Sequence, residues 1–345
     1  MLGGMLPFAV ALATSWGLTV PIRHMALHWG LVDLPGPRKI HRTPMPLFGG
    51  VAIYCGTVLG IGLFVESRAR EQIFGILAAS TLLLIVGILD DRHLLHHQIK
   101  LFGAMPLAAL TLVVLGVRAH VASAFIPGPA GSALDVGLTL LWVVGITAAY
   151  NIFDHMDGLA SGIAAVASLF FFLLAIREGQ VLVATLSAAV LGASLGFLGW
   201  NFNPAKIFMG DGGAMFLGFM LATLGLKLRL HDVPEATSWM IPVLILIVPI
   251  FDTTLISISR TRRGLLPFAS PGKDHTAHRL ANAGLGQKGA VLVLYAVGTG
   301  SGLLAMLICS LSIGISYAIA TFVVLVALAA VMTLEQFPYE SQAAH

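Results

Sequence analysis

The chain has 345 residues, of which 57% are hydrophobic and only 10% charged, with a formal net charge of +3; its mean hydropathy is +0.92. A soluble domain carries roughly 25% charged residues, so a water-facing surface is excluded, and disorder and coiled coil fall with it. Apolar runs of about 20 residues broken by short polar stretches predict an all-α, polytopic integral membrane protein.

Taken in chain order, the runs predict eleven transmembrane helices in a single transmembrane domain, 1–345. They cover 3–22, 48–65, 73–89, 99–117, 136–152, 160–176, 181–200, 212–228, 238–259, 289–310 and 314–334. The tract 289–334 is too long for one helix and divides at Ser310 to Gly314; ten spans is the alternative. Met1 to Val20 has no basic leader and no obvious cleavage site, so it reads as a retained first span. Cys55 and Cys309 lie in apolar runs with no CxxC or Cys/His grouping, which excludes a thiolate metal site and a disulfide framework.

Loops after the odd-numbered spans hold thirteen of the 19 Lys and Arg, and the others six. The excess marks the first set as cytoplasmic and places the N-terminus outside. Eight of the ten Asp lie in or beside those same loops: Asp33, Asp90, Asp91, Asp154, Asp157, Asp211, Asp252 and Asp274. Among Glu, only Glu335 and Glu340 of the tail join them. A solvated loop uses both acids freely, so this segregation points to a task for the shorter side chain, such as metal or phosphate chemistry at a membrane face.

Asp33 to Gly50 is a basic, proline-stiffened loop carrying Arg38, Lys39 and His41. Asp90-Asp91-Arg92 closes the third span. An acid at a helix C-terminus opposes the helix dipole, and two adjacent acids point about 100° apart, which favours a site over plain solvation. Lys100 opens the next span, as a returning partner or as an interfacial snorkelling lysine. Asn151, Asp154 and Asp157 recur at three-residue spacing along one face or turn, in a loop without a basic residue, so a bound cation or its carrier would supply the missing charge. His155 within that run reads as a solvated loop residue.

Asn201 to Gly213 joins the seventh and eighth spans. Asp211 stands at a helix start between glycines, where it acts either as an N-cap or as a ligand-facing acid approached closely through the backbone. The loop 260–288 gathers Arg260, Arg262, Arg263, Lys273, His275, His278, Arg279 and Lys288, a cationic lid suited to an anion. Asp252 at membrane depth is either functional or the partner of an Arg. Gly192 to Gly196 reads as close helix packing.

In order, these stretches resemble the polyprenyl-phosphate N-acetylhexosamine-1-phosphate transferases, the family of the WecA and TagO enzymes and the phospho-MurNAc-pentapeptide translocase MraY. The matching segments are Arg38-Lys39-x-His41 through Gly49-Gly50, Asp90-Asp91 with Lys100, Asn151-x-x-Asp154-x-x-Asp157-Gly158-Leu159, Asn201 through Gly213, and His275-Thr-Ala-His278-Arg279-Leu280. The resemblance implies transfer of an N-acetylhexosamine-1-phosphate, GlcNAc-1-phosphate foremost, from a UDP-sugar donor to a polyprenyl phosphate lipid acceptor of undecaprenyl type. UMP is released, in the first membrane step of cell-envelope polysaccharide synthesis. It implies Mg²⁺, with Mn²⁺ as substitute, and a multi-pass protein of a bacterial-type inner (cytoplasmic) membrane with its site on the cytoplasmic face. A homodimer is compatible with it, and nucleic acid has no place in it.

By the same resemblance Asp211 is the principal Mg²⁺ ligand, and Asp90 and Asp91 bind metal or deprotonate the lipid phosphate, with Lys100 beside them. Asn151, Asp154, Asp157 and Asn201 shape the metal and nucleotide end. His275, His278 and Arg279 contact the donor, and Arg38, Lys39 and His41 bind substrate. The site thus draws on loops 23–47, 90–100, 153–160, 201–211 and 260–288. This chain departs from the pattern at His155, where Gly is usual, at Ala214, where Ser is usual, and at Ala277, where a His is usual. The short Arg-Lys-x-His loop and span number favour the WecA/TagO branch over the phospho-MurNAc-pentapeptide transferases. Two rivals are weaker. A CDP-alcohol phosphotransferase needs Ala-Arg where Ser161-Gly162 stands, and a cation-coupled transporter favours midplane acids and internal repeats.

Overall fold

A computed structural model of the chain describes residues 2–35, 43–64, 69–95, 97–266 and 272–337. Arg38, Lys39 and His41 of the basic loop lie outside the described residues. The structure is helical apart from one two-residue antiparallel pairing, Val32–Asp33 with Met45–Pro46. It forms two compact units, Met1–Leu230 and His231–His345.

In the first unit the helices are α1 (Leu2–His28), α2 (Gly49–Gly62), α3 (Arg70–Asp91), α4 (Lys100–Val114), α5 (Pro129–Phe153), α6 (Leu159–Arg177), α7 (Val181–Asn201) and α8 (Gly210–Lys227). Helix α8 is the axis of this unit, buried almost without interruption from Gly212 to Leu226. Glycine lets its neighbours reach it. A Cβ built on Gly50 of α2 would lie 2.3 Å from the Gly213 Cα, and one on Gly87 of α3 would lie 2.3 Å from the Gly212 Cα. On the third side, a Cβ on Gly218 would meet Thr147 and Tyr150 of α5 at 2.8 Å. With no hydrophobic force between helices in lipid, such close backbone approach supplies the packing. Gly192 and Gly196 of α7 do the same against Phe8 and Leu12 of α1, as the sequence leads one to expect.

On α5 Asp135, 1% exposed, accepts the backbone N–H groups of Val121, Ala122 and Ser123 at 2.9, 2.7 and 3.3 Å. One carboxylate thereby satisfies three donors that a buried loop would otherwise leave orphaned.

The second unit contains α9 (Glu235–Ile245), α10 (Ile247–Arg262), the short α11 (Thr276–Leu280), α12 (Gly286–Ile308) and α13 (Ile313–Leu334). Pro249 has no N–H to offer the Ile245 carbonyl, and α9 and α10 meet at a bend of 76°. The predicted run 238–259 is thus two helices set at an angle, the form of a broken span or a re-entrant loop. The division of 289–334 is met, with α12 ending at Ile308 and α13 starting at Ile313. Helix α13 turns Phe322, Leu325 and Met332 outward, each at least 60% exposed, which suits a lipid-facing helix.

Each of the eleven predicted spans is helical, but they are unequal. Among the described residues seven helices are long and apolar enough to cross a membrane, or eight when the bent pair counts as one, short of the eleven predicted. Helix α2, with 14 residues, measures about 21 Å against a hydrocarbon core of about 30 Å.

Candidate active site

Four of the singled-out residues converge at one end of α8. Asp90 and Asp91 end α3, Lys100 opens α4 and Asp211 is the second residue of α8. Lys100 Nζ donates to Asp90 Oδ2 at 2.6 Å and to Asp211 Oδ2 at 2.5 Å. Those two carboxylate oxygens are therefore within about 5 Å of each other, where like charges repel by about 3 kcal/mol at an effective dielectric of 20. A cation between them offsets that repulsion, and Lys100 supplies it.

Asp91 takes a different part. Its Oδ1 accepts the Asp211 backbone N–H at 3.0 Å, so the cap expected of Asp211 comes from α3 instead. This leaves the Asp211 carboxylate to face Lys100. The Asp91 Oδ2 is buried without a protein hydrogen-bond partner among the described residues, and it packs against Gly210, where a Cβ would stand 2.5 Å away. Gly210 also has φ +77°, a backbone conformation open to glycine.

The segment after α5 borders this cluster. Asp154 is partly buried, and its carboxyl is pushed up to about 7, first by burial and then by the charges of Asp211 and Asp157. The cluster is thus over-supplied with negative charge. The Nδ2 of Asn151 is buried without a partner among the described residues. His155, far from standing in open solvent, is half-buried with its ring edge-on to Phe153 at 6.1 Å.

Asp157 and Asn201 are tied to the loop that delivers Asp211. Asp157 Oδ2 accepts from Asn203 Nδ2 at 2.9 Å and from the Ala205 N–H at 3.0 Å. Asn201 Oδ1 accepts from the Gly158 N–H at 3.0 Å and Ser161 Oγ at 3.2 Å, while its Nδ2 donates to the Ile207 carbonyl at 3.0 Å. Both side chains therefore join the 154–161 segment to the 201–207 loop. The Pro46 to Gly50 strip grips the same loop from the other side: Phe208 N–H donates to the Pro46 carbonyl at 2.9 Å, and the Gly49 and Gly50 N–H groups donate to the Phe208 and Met209 carbonyls at 3.0 and 2.9 Å.

The second unit holds the histidine-bearing segment. His275 precedes α11, and its Nδ1 lies 2.7 Å from Oδ2 of Asp252 on α10. The His278 ring lies 6.3 Å from that of His275. Arg279 is fully buried, donating to Ser259 Oγ at 2.9 Å, the Asp274 carbonyl at 2.8 Å and the Leu334 carbonyl at 2.7 Å, with Glu335 at 2.8 Å. Its guanidinium fastens α11 to α10 and the end of α13.

Asp274 was not among the candidate site residues. Arg260 grips it with Nε and Nη2 at 3.0 and 2.8 Å, and Arg263 adds a 2.5 Å bond. Burial alone would raise its pKa, but the hydrogen bonds and charges of the two arginines outweigh burial and hold it at about 2. Its sequence signal was available, since it is the only acid among six Lys and Arg between 260 and 288.

Residues 73–229 match the family described as Glycosyl transferase family 4, a range that contains the whole acidic cluster of the first unit. The chain is 37% identical over 300 residues to a Bacillus subtilis (strain 168) protein named probable undecaprenyl-phosphate N-acetylglucosaminyl 1-phosphate transferase, covering 84% of this chain and 81% of that one. It is 34% identical over 312 residues to the decaprenyl-phosphate N-acetylglucosaminephosphotransferase of Mycolicibacterium smegmatis, covering 82% and 75%. It is also 30% identical over 287 residues to the undecaprenyl-phosphate alpha-N-acetylglucosaminyl 1-phosphate transferase of Salmonella typhi, covering 79% and 75%.

Proposed function

The chain belongs to the family of polyprenyl-phosphate N-acetylglucosamine-1-phosphate transferases, and from that premise we propose its reaction in full. It is a membrane glycosyl-1-phosphate transferase that moves GlcNAc-1-phosphate onto a polyprenyl phosphate. The donor is UDP-GlcNAc, and the acceptor is an undecaprenyl-type phosphate. An acceptor phosphate oxygen forms a bond to the sugar-bearing phosphorus as that phosphorus parts from UMP. The excess of basic residues in the same loops supports a site on the cytoplasmic face of a bacterial inner membrane.

The observation that carries the reading is the meeting of Asp90, Asp211 and Lys100 from three separate helices. The residues also fit Mg²⁺, or Mn²⁺ in its place. Asp90, Asp91 and Asp211 are hard oxygen donors, one Asp91 oxygen is buried without a protein partner, and two of the acids already share a cation. Mg²⁺ held there would screen the donor diphosphate and stabilise the departing UMP.

The chain's own residues do the remaining work. Lys100 keeps Asp90 and Asp211 together and supplies positive charge to the approaching phosphates. Of the pair on α3, Asp90 accepts the proton of the acceptor phosphate, since Asp91 is engaged by the Asp211 N–H. Asp157 and Asn201 hold the loop that aims Asp211, and Asn151 Nδ2 offers a donor at the nucleotide end. His275 and His278 contact the donor's phosphates or sugar, whereas Arg279 supports them from behind.

The test is UMP release from UDP-GlcNAc with undecaprenyl phosphate and Mg²⁺, run with a panel of other UDP-sugars. We expect turnover with UDP-GlcNAc and a loss of at least about 100-fold in Asp211→Asn. Absence of UMP release from every UDP-sugar would overturn the reading.

A further inference from the structure

Asp252 is an acid fully buried in a membrane-depth helix, 0% exposed. Its sequence position, a turn or two before Arg260, left an arginine partner as the alternative to a functional acid. The structure sends the arginines elsewhere: Arg260 and Arg263 both bind Asp274. Asp252 instead divides its two oxygens between neighbouring residues of one segment. Oδ1 accepts the Thr276 backbone N–H at 2.7 Å, and Oδ2 lies 2.7 Å from His275 Nδ1.

The chemistry of this contact is directional. An ionised carboxylate only accepts hydrogen bonds, so with Asp252 as the carboxylate the proton of this contact belongs on Nδ1. In the neutral imidazole that leaves Nε2 as the acceptor atom, on the ring edge that faces away from Asp252. The second bond, to Thr276, holds the first turn of α11, which carries His278 and Arg279. One buried carboxylate thus touches both the His275 ring and the start of the helix that follows it.

We propose that Asp252 is a positioning residue for the transfer reaction, holding His275 in the Nδ1–H tautomer and in a fixed ring orientation so that Nε2 is the atom that works on the donor. The role in turnover rests on the transferase reading above; the tautomer does not.

Two experiments on the full chain separate these. In ¹⁵N-histidine-labelled protein, with the His275 signals assigned through His275→Gln, we expect Nδ1 protonated in the wild type. In Asp252→Asn the amide donates to Nδ1 and the proton moves to Nε2. A wild-type His275 with unprotonated Nδ1 would overturn the proposal, and this measurement stands even where a variant fails to fold. The second experiment is UMP release by Asp252→Asn, which retains an oxygen for the Thr276 N–H and hence the helix start. A mere capping role leaves kcat at the wild-type value, and that result would overturn the proposal. Tautomer control lowers kcat at least about tenfold, by more than any rise in KM for UDP-GlcNAc. Adding Asp252→Asn to His275→Gln should cost nothing more, whereas additive losses would also refute it. Should the wild type release no UMP at all, the transferase reading fails and the tautomer result still decides the contact.

Discussion

The Asp91 carboxylate on α3 accepts the backbone N–H of Asp211 on α8 at 3.0 Å, so one acid of the adjacent pair anchors the peptide that carries the third. The two acids at the end of α3 therefore differ in kind: Asp90 shares Lys100 with Asp211, and Asp91 holds the helix on which Asp211 stands.

Amide substitutions should separate these parts. Asp211→Asn keeps the helix start and removes a charge that faces Lys100, so UMP release should fall at least about 100-fold with little change in Tm. Asp91→Ala removes the cap and should cost about 1–2 kcal/mol of stability, together with activity. Asp91→Asn, which retains an oxygen acceptor, should recover most of the Tm. Thermal unfolding in detergent beside the UMP assay reads both quantities.

Gly87→Ala places a methyl group 2.3 Å from the Gly212 Cα and 2.7 Å from the Asp211 carbonyl carbon. The neighbour is backbone, with no flexible side chain to yield. Helices α3 and α8 must separate, which should cost about 1–3 kcal/mol and carry Asp211 away from Asp90. Activity should fall far more than in Gly62→Ala, where nothing lies within 4 Å of the new Cβ.

Asn201 is predicted to act through the loop it holds. Asn201→Ala removes the side-chain partner of the Gly158 N–H and of the Ile207 carbonyl, which should cost about 1–3 kcal/mol. Asn201→Asp restores the acceptor but sets a carboxylate against the Ile207 carbonyl, so it should recover little stability. Equal Tm values for the wild type and both variants would remove Asn201 from the scaffold.

The Asp274 network predicts a defined acid sensitivity. The carboxyl sits at about 2 in the folded chain, against about 3.9 unfolded. Between those values the unfolded state binds the extra proton, so the contribution is complete above about pH 4 and is lost as pH falls toward 2. Its size is on the order of 2 kcal/mol. The Tm gap between wild type and Asp274→Asn should accordingly be constant from pH 5 to 7 in about 0.15 M salt and narrow below about pH 4.

Much of this protein was readable before any coordinates. Low charge and apolar runs specified a helical membrane protein, because a span must satisfy its backbone internally and its length is set by the bilayer. The spacing of Gly192 and Gly196 announced close packing, and Asp90 and Asp91 were identifiable as acids out of place for plain solvation, whereas Lys100 and Asp211 each kept a structural alternative, a snorkelling lysine and an N-cap. What the sequence could not determine was which atom faces which. Asp91 turning to cap α8, Asp252 choosing His275 over Arg260, and Arg279 turning inward to Leu334 and Glu335 all depend on how helices far apart in the chain rotate and cross. Periodicity assigns a residue to a face, whereas partner choice is settled by sub-ångström packing at glycine contacts such as Gly87 against Gly212. Only the tertiary structure could decide that.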